Sequence, residues 1–259
     1  MRLDLFYPWQ FQPYSPLHAA VLLAIGGLCV TLVMLGRSRP TLATRLAAAL
    51  LAIGFISATV YDLLPARRSL ANSLPLHVCD VVSIAGLVAL VLRPRLARTI
   101  LYTWGLSLCS FALAMPVVTE GPRFLDFWVY WIWHGAIFAA IAVDAGVNRY
   151  RPTLGDVGVA VASLVAYGLV ALPVNLLLET NYAYIGNSVG PRSFVALFGP
   201  WPGRLTIMLP IAASLMTLSV LPWTLRRRRP IEVAQPADDE AEPIVYRLPL
   251  ADAILRQAA

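Results

Sequence analysis

The chain has 259 residues, 59% of them hydrophobic and 13% charged, with a mean hydropathy of +0.70. Soluble domains run at about 45 to 50% apolar and about 25% charged, so a soluble fold is excluded and a helical membrane protein is expected. The net charge of +6 does not indicate nucleic acid: its largest block, Arg226 to Arg229, directly follows the last apolar segment, where a membrane flank belongs, and no basic stripe is interleaved with aromatics.

In chain order, residues 1–16 are rich in aromatics and proline and lack the pattern of a cleavable signal; Phe6, Tyr7, Trp9, Phe11 and Tyr14 are expected at headgroup depth. Apolar segments follow at about 17–36, 42–63, 74–92, 97–117, 125–146, 154–178 and 203–225. The expected fold is therefore an all-α polytopic bundle of seven transmembrane helices over 17–225. In the third segment Asn72 or Ser73 is expected to cap a helix with Pro75 in its first turn, and in the sixth Pro173 predicts a kink or early stop. The stretch 179–202 is the longest loop. Residues 226–259 form a basic flank and an acidic, proline-rich tail expected to be mostly disordered, whose last part, YRLPLADAILRQ, has the pattern of an amphipathic surface helix.

Arginine sets the expected orientation. Arg37, Arg39, Arg45, Arg93, Arg95, Arg98, Arg149, Arg151 and the run from Arg226 to Arg229 put twelve on one side, against Arg2, Arg67, Arg68, Arg123, Arg192 and Arg204 on the other. By the positive-inside rule the N-terminus lies outside and the C-terminus in the cytoplasm of a multi-pass protein of the cell membrane.

Ionisable groups inside spans are expensive, so their positions mark water or function. His18, Asp62, His77, Asp80 and Asn175 fall near the outer ends of their segments. His134 is deeper, roughly 13 Å from the outer boundary of the fifth segment at 1.5 Å per residue. An outward-facing polar cavity is expected. His77 and Asp80 are three apart and share a helix face, whereas Cys79 points roughly 200° from His77, so a nucleophile and base would come from different helices: Cys79 with His134, or a water activated by His77 and His134. The plainer alternative for each residue is structural, with Cys79 a small buried residue, His77 and Asp80 a packing pair, and His134 a hydrogen bonder among tryptophans. Asn181, Tyr182, Tyr184 and Asn187 of the long loop reach the same face, as a lid or as an interfacial turn. The three cysteines, Cys29, Cys79 and Cys109, show no metal spacing and no disulfide framework; no metal and no cofactor is expected.

LPLHVCD at Leu74–Asp80, the histidine at His134, NYAYI at Asn181–Ile185 and FGPWP at Phe198–Pro202 together resemble the YwaF-like family of bacterial integral membrane proteins, over nearly the whole chain. That family is distantly similar to a eukaryotic transmembrane phospholipid acyltransferase. The resemblance implies acyl transfer or lipid hydrolysis, with His77 and His134 at matching positions and Cys79 at a common cysteine; Ala183 departs from the bulkier residue usual there.

The expected function is thus a lipid acyltransferase or lipid hydrolase, with His134, Cys79, His77 and Asp80 as catalytic candidates and Asn175, Asn181, Tyr182 and Tyr184 as substrate-binding candidates, Asn175 or Tyr182 also as oxyanion donors. Its expected partners are membrane lipids, with an acyl-bearing lipid as substrate. The alternative is a lipid-binding or small-molecule-binding protein or transporter without covalent chemistry. A retinal protein is excluded, since the last segment has no lysine for a Schiff base.

Overall fold

Serine, proline and threonine punctuate the helices. Ser15 caps α1 (Pro16–Ser38), its hydroxyl accepting the His18 N–H, with Pro16 at the first helical position, where its missing N–H leaves nothing unpaired. Pro40 restarts the chain at once as α2 (Pro40–Leu63). The bundle continues with α3 (Val78–Val91), α4 (Arg95–Ser107), the single turn α5 (Ser110–Ala114), α6 (Leu125–Gly146), α7 (Leu154–Leu178) and α8 (Arg204–Arg227). This computed structural model describes residues 10–70, 73–187 and 194–227, and residues up to Arg227 belong to one unit. The expectations for Phe6, Tyr7, Trp9, Asn72, Arg192 and the tail from Arg228 onward lie outside the described residues.

Six helical stretches are long and apolar enough to cross a membrane, α4 and α5 counting together as Arg95–Ala114. The protein is a multi-pass, all-helical membrane protein, and among the described residues no strand occurs beyond an isolated Gln10–Glu120 bridge. The short member is α3: 14 residues rise roughly 21 Å, against about 30 Å of hydrocarbon. Its helix starts later than the sequence suggests. Pro75 pushes Leu74 into extended backbone, and the Asp80 carboxylate accepts the His77 N–H at 2.8 Å, which makes His77 the cap in place of Asn72 or Ser73. Conversely, α7 runs through Pro173 to Leu178 rather than ending there.

Helix α6 is the hub, packing on α1, α2, α3 and α4; α4 in turn carries α7 and α8. Close approach is built from small residues. Gly54 of α2 lies so near α6 that an added Cβ would stand 3.0 Å from the Trp133 Cα.

The two ends differ in chemistry. At one, Arg95 binds Asp156 through two hydrogen bonds of 2.8 and 2.6 Å, Arg98 binds Asp144 at 3.0 Å, and Asn148 ties Thr44 and Arg93 to them. Tyr150, packed against this network, has its phenol pushed up to about 12, chiefly by burial. At the other end Asp126 joins Tyr61 and Arg67, each at 2.6 Å. Phe11, expected at the membrane surface, is instead buried with Phe127, Trp131 and Val118, while Tyr14 is exposed.

Candidate active site

The short start of α3 carries Cys79 to the depth of His134 on α6. Cys79 is the second helical residue, at the end where unpaired N–H groups favour negative charge, and its thiol lies close enough to the His134 imidazole for the two to interact electrostatically. The Nδ1 of His134 lies 2.8 Å from the Tyr130 carbonyl oxygen. A carbonyl only accepts, so Nδ1 carries the proton and Nε2 offers its lone pair to Cys79. A thiol, a base within reach and a third group fixing the tautomer are the parts of a nucleophilic dyad. His134 is 4% exposed, whereas Cys79 is only partly buried.

A third member stands beside them. The sulfurs of Cys79 and Cys109 are 3.4 Å apart. Cys109 occupies the break between α4 and α5, where the N–H groups of Leu108 and Cys109 both donate to the Trp104 carbonyl, at 2.7 and 3.1 Å. The helical ladder slips there by one residue, in the turn that holds Gly105. Tyr130 and Cys109 had no prior signal as site residues.

His77 and Asp80 sit on the other side of the α3 start. The Asp80 carboxylate takes the His77 backbone N–H, and the His77 ring meets Tyr182 edge-on at 4.8 Å. With Asp62, Ser73 and Trp133 they line a cleft of about 20 Å³. That is room for one water.

The segment before α3 has no helical ladder, so its backbone groups need side-chain partners. Leu74 N–H donates to the Tyr182 hydroxyl at 3.2 Å, the Tyr182 hydroxyl donates to Leu70 O, and the Tyr167 hydroxyl donates to Leu76 O. Asn175, fully buried, holds the NYAYI loop: its amide oxygen accepts from the N–H of Tyr182 and the hydroxyl of Thr180, and its nitrogen donates to the Tyr182 carbonyl. Asn181 accepts the Gly186 N–H. Asn175, Asn181 and Tyr182 therefore spend these polar groups on building the loop. Tyr184 adopts φ +61° beside Ala183 at φ +54°, and its phenol is pushed up first by burial and then by negative charge at Cys79.

His18, also at this end, is structural. Its Nδ1 accepts the Tyr14 N–H at 2.9 Å and its Nε2 donates to the Leu113 carbonyl at 2.8 Å, so both ring nitrogens are taken. Among the described residues no group of three or more metal-ligating side chains converges.

No curated protein and no solved structure matched the chain. The profile of one family of transmembrane proteins does, across residues 10–220, a range that contains every site residue named above and all the helices except the last turns of α8. The chain belongs to the TMEM164 family.

Proposed function

We propose that this protein moves an acyl group between membrane lipids through a thioester on Cys79. The observation that carries the reading is the proximity of the Cys79 thiol to a His134 ring whose tautomer the Tyr130 carbonyl fixes. His134 Nε2 takes the thiol proton as Sγ attacks the ester carbonyl of the donor lipid. The S–C bond forms, the C–O bond to the lipid alcohol breaks, and His134 returns the proton to that leaving oxygen. In the second half, an acceptor hydroxyl gives its proton to His134 and attacks the thioester, which releases the Cys79 thiol. Tyr184, protonated and near Cys79, supplies the hydrogen bond to the oxyanion. Water in place of the acceptor lipid gives hydrolysis. His77 and Asp80 line the small cleft beside Asp62 and Trp133. The donor reaches Cys79 from the outer leaflet of the cell membrane.

The test is capture of the intermediate. Full-length protein in vesicles is supplied with phospholipid carrying an alkyne-tagged acyl chain; the expected result is a hydroxylamine-labile tag on Cys79, absent in Cys79→Ala, together with tagged lysolipid acceptor. Absence of both the tag and the exchange overturns the reading. One feature suits the alternative, a lipid or small-molecule binder or transporter: the irregular, broken start of α3. Saturable lipid binding that leaves no adduct on Cys79 is its signature.

A further inference from the structure

Acyl transfer needs one thiol, and this site has two. Cys109 is fully buried, it touches the nucleophile at 3.4 Å, and the proposed reaction gives it no proton to move. A disulfide requires sulfurs at about 2.05 Å, so closing the pair takes a shift of roughly 1.3 to 1.4 Å. Two features make that shift small in cost. Cys79 lies at the very start of α3, preceded by a segment with no helical ladder of its own, and Cys109 lies where the α4 ladder has already slipped. Burial then orders the events: Cys79 is only partly buried and Cys109 is buried, so Cys79 is the thiol that meets an oxidant first.

We propose that Cys109 is a resolving thiol, and that a hydroperoxide converts Cys79 and Cys109 into a reversible disulfide within the bundle. The Cys79 thiolate, its proton held on His134, attacks the peroxide; the S–O bond forms, the O–O bond breaks, and the alcohol or water that leaves takes the proton from His134. Cys79 is then a sulfenic acid. Cys109 sulfur attacks it, the S–S bond forms, the S–O bond breaks, and water leaves with the proton of the Cys109 thiol. Two thiols lose two electrons and one hydroperoxide gains them. Arrest of acyl transfer by this step rests on the acyl-transfer reading, but the disulfide does not.

The experiment uses full-length protein in phosphatidylcholine vesicles titrated with hydrogen peroxide, then denatured, alkylated with maleimide and digested. The reduced protein has three free cysteines. Oxidation is expected to leave only Cys29 alkylated, to yield a linked peptide pair containing Cys79 and Cys109, and to reverse with dithiothreitol. In Cys109→Ser, and equally in Cys109→Ala, Cys79 is expected to stop as a dimedone-reactive sulfenic acid. The wild-type thiol count stands alone if either variant fails to fold. The proposal is overturned if Cys109 stays alkylatable while Cys79 oxidises, if Cys79 joins Cys29 instead, or if neither thiol reacts at peroxide levels that oxidise free cysteine. Acyl transfer, measured on the same samples against their reduced state, is expected to fall in proportion to the disulfide and to return on reduction. A disulfide that forms in a protein with no transfer in its reduced state refutes the acyl-transfer reading and leaves this one standing.

Discussion

His134 and His18 are both buried histidines near one end of the bundle, and what separates them is the partner of the second ring nitrogen. In His18 both nitrogens face backbone groups, so the ring has no lone pair to lend. In His134 only Nδ1 does, and Nε2 meets a thiol. The consequences of truncation diverge accordingly. His134→Ala should lower kcat/KM for acyl transfer by about 10² to 10⁴-fold, the usual worth of a general base, with little change in the folded population by thermal unfolding in detergent. His18→Ala should do the reverse, costing about 2 to 4 kcal/mol of stability by leaving buried backbone groups unpaired, while the fraction that stays folded keeps its specific activity. Tyr184→Phe should remove about 10² to 10³ in kcat, as loss of one oxyanion donor does. Burial holds the Tyr184 proton to above the usual tyrosine range, so its contribution persists through neutral pH and is lost only as pH rises past that raised value; a pH–rate profile that differs from Tyr184→Phe only at the alkaline end checks it. From the sequence the pairing of Cys79 with His134 is one of two open possibilities, because helix periodicity says which residues share a face and nothing about which faces meet. The role of Cys109 was illegible for a plainer reason: a cysteine in an apolar run has the pattern of a core residue.

Hydropathy located most of the helices to within a few residues, since the length of an apolar run and the thickness of a bilayer are the same physical constraint. It failed where backbone hydrogen bonding, not side-chain polarity, decides. Segment 74–92 is uniformly apolar, yet only Val78–Val91 is helical, because the Asp80 carboxylate closes the first turn on His77. The four residues ahead of it are held by tyrosine hydroxyls from α7 and the following loop. Tyr167→Phe leaves the Leu76 carbonyl without its donor in a part-buried setting and should cost about 1 to 2 kcal/mol. Because the same segment sets the position of Cys79, thioester formation should slow as well. A Tyr167→Phe protein with unaltered thermal unfolding and unaltered tagging of Cys79 would show that the segment holds its shape without that bond. Likewise the break at Cys109 has no proline to announce it, only Gly105 one turn earlier, and it follows from the N–H groups of Leu108 and Cys109, just past α4, sharing one carbonyl.

At the scale of the whole molecule the ends of the bundle give a way to count the crossings of the bilayer. The contacts of Leu70 and Leu74 with Tyr182 and of Arg67 with Asp126 put the end of α2 and the start of the α3 segment at the end of the bundle that holds Asp126 and the NYAYI loop. Arg93, just past α3, reaches Asn148 at the opposite end, where Asp144 and Asp156 hold Arg98 and Arg95. Residues 64–94 therefore run from one end of the bundle to the other although α3 itself is too short to cross. A seventh crossing made of a short helix and a protein-lined irregular segment is compatible with the rule that irregular backbone is tolerated at membrane depth only when it is shielded from lipid. Parity distinguishes the cases: seven crossings place the termini on opposite sides, six on the same side. The positive-inside rule, which counts basic residues near span ends and is little affected by the acidic partners of Arg95 and Arg98, predicts the N-terminus outside and the C-terminus in the cytoplasm. An N-terminal epitope should bind antibody on intact cells and a C-terminal epitope only after permeabilisation. Both epitopes appearing on one side would reduce α3 to a re-entrant element, and an exchange of sides would reverse the leaflet from which a lipid reaches Cys79.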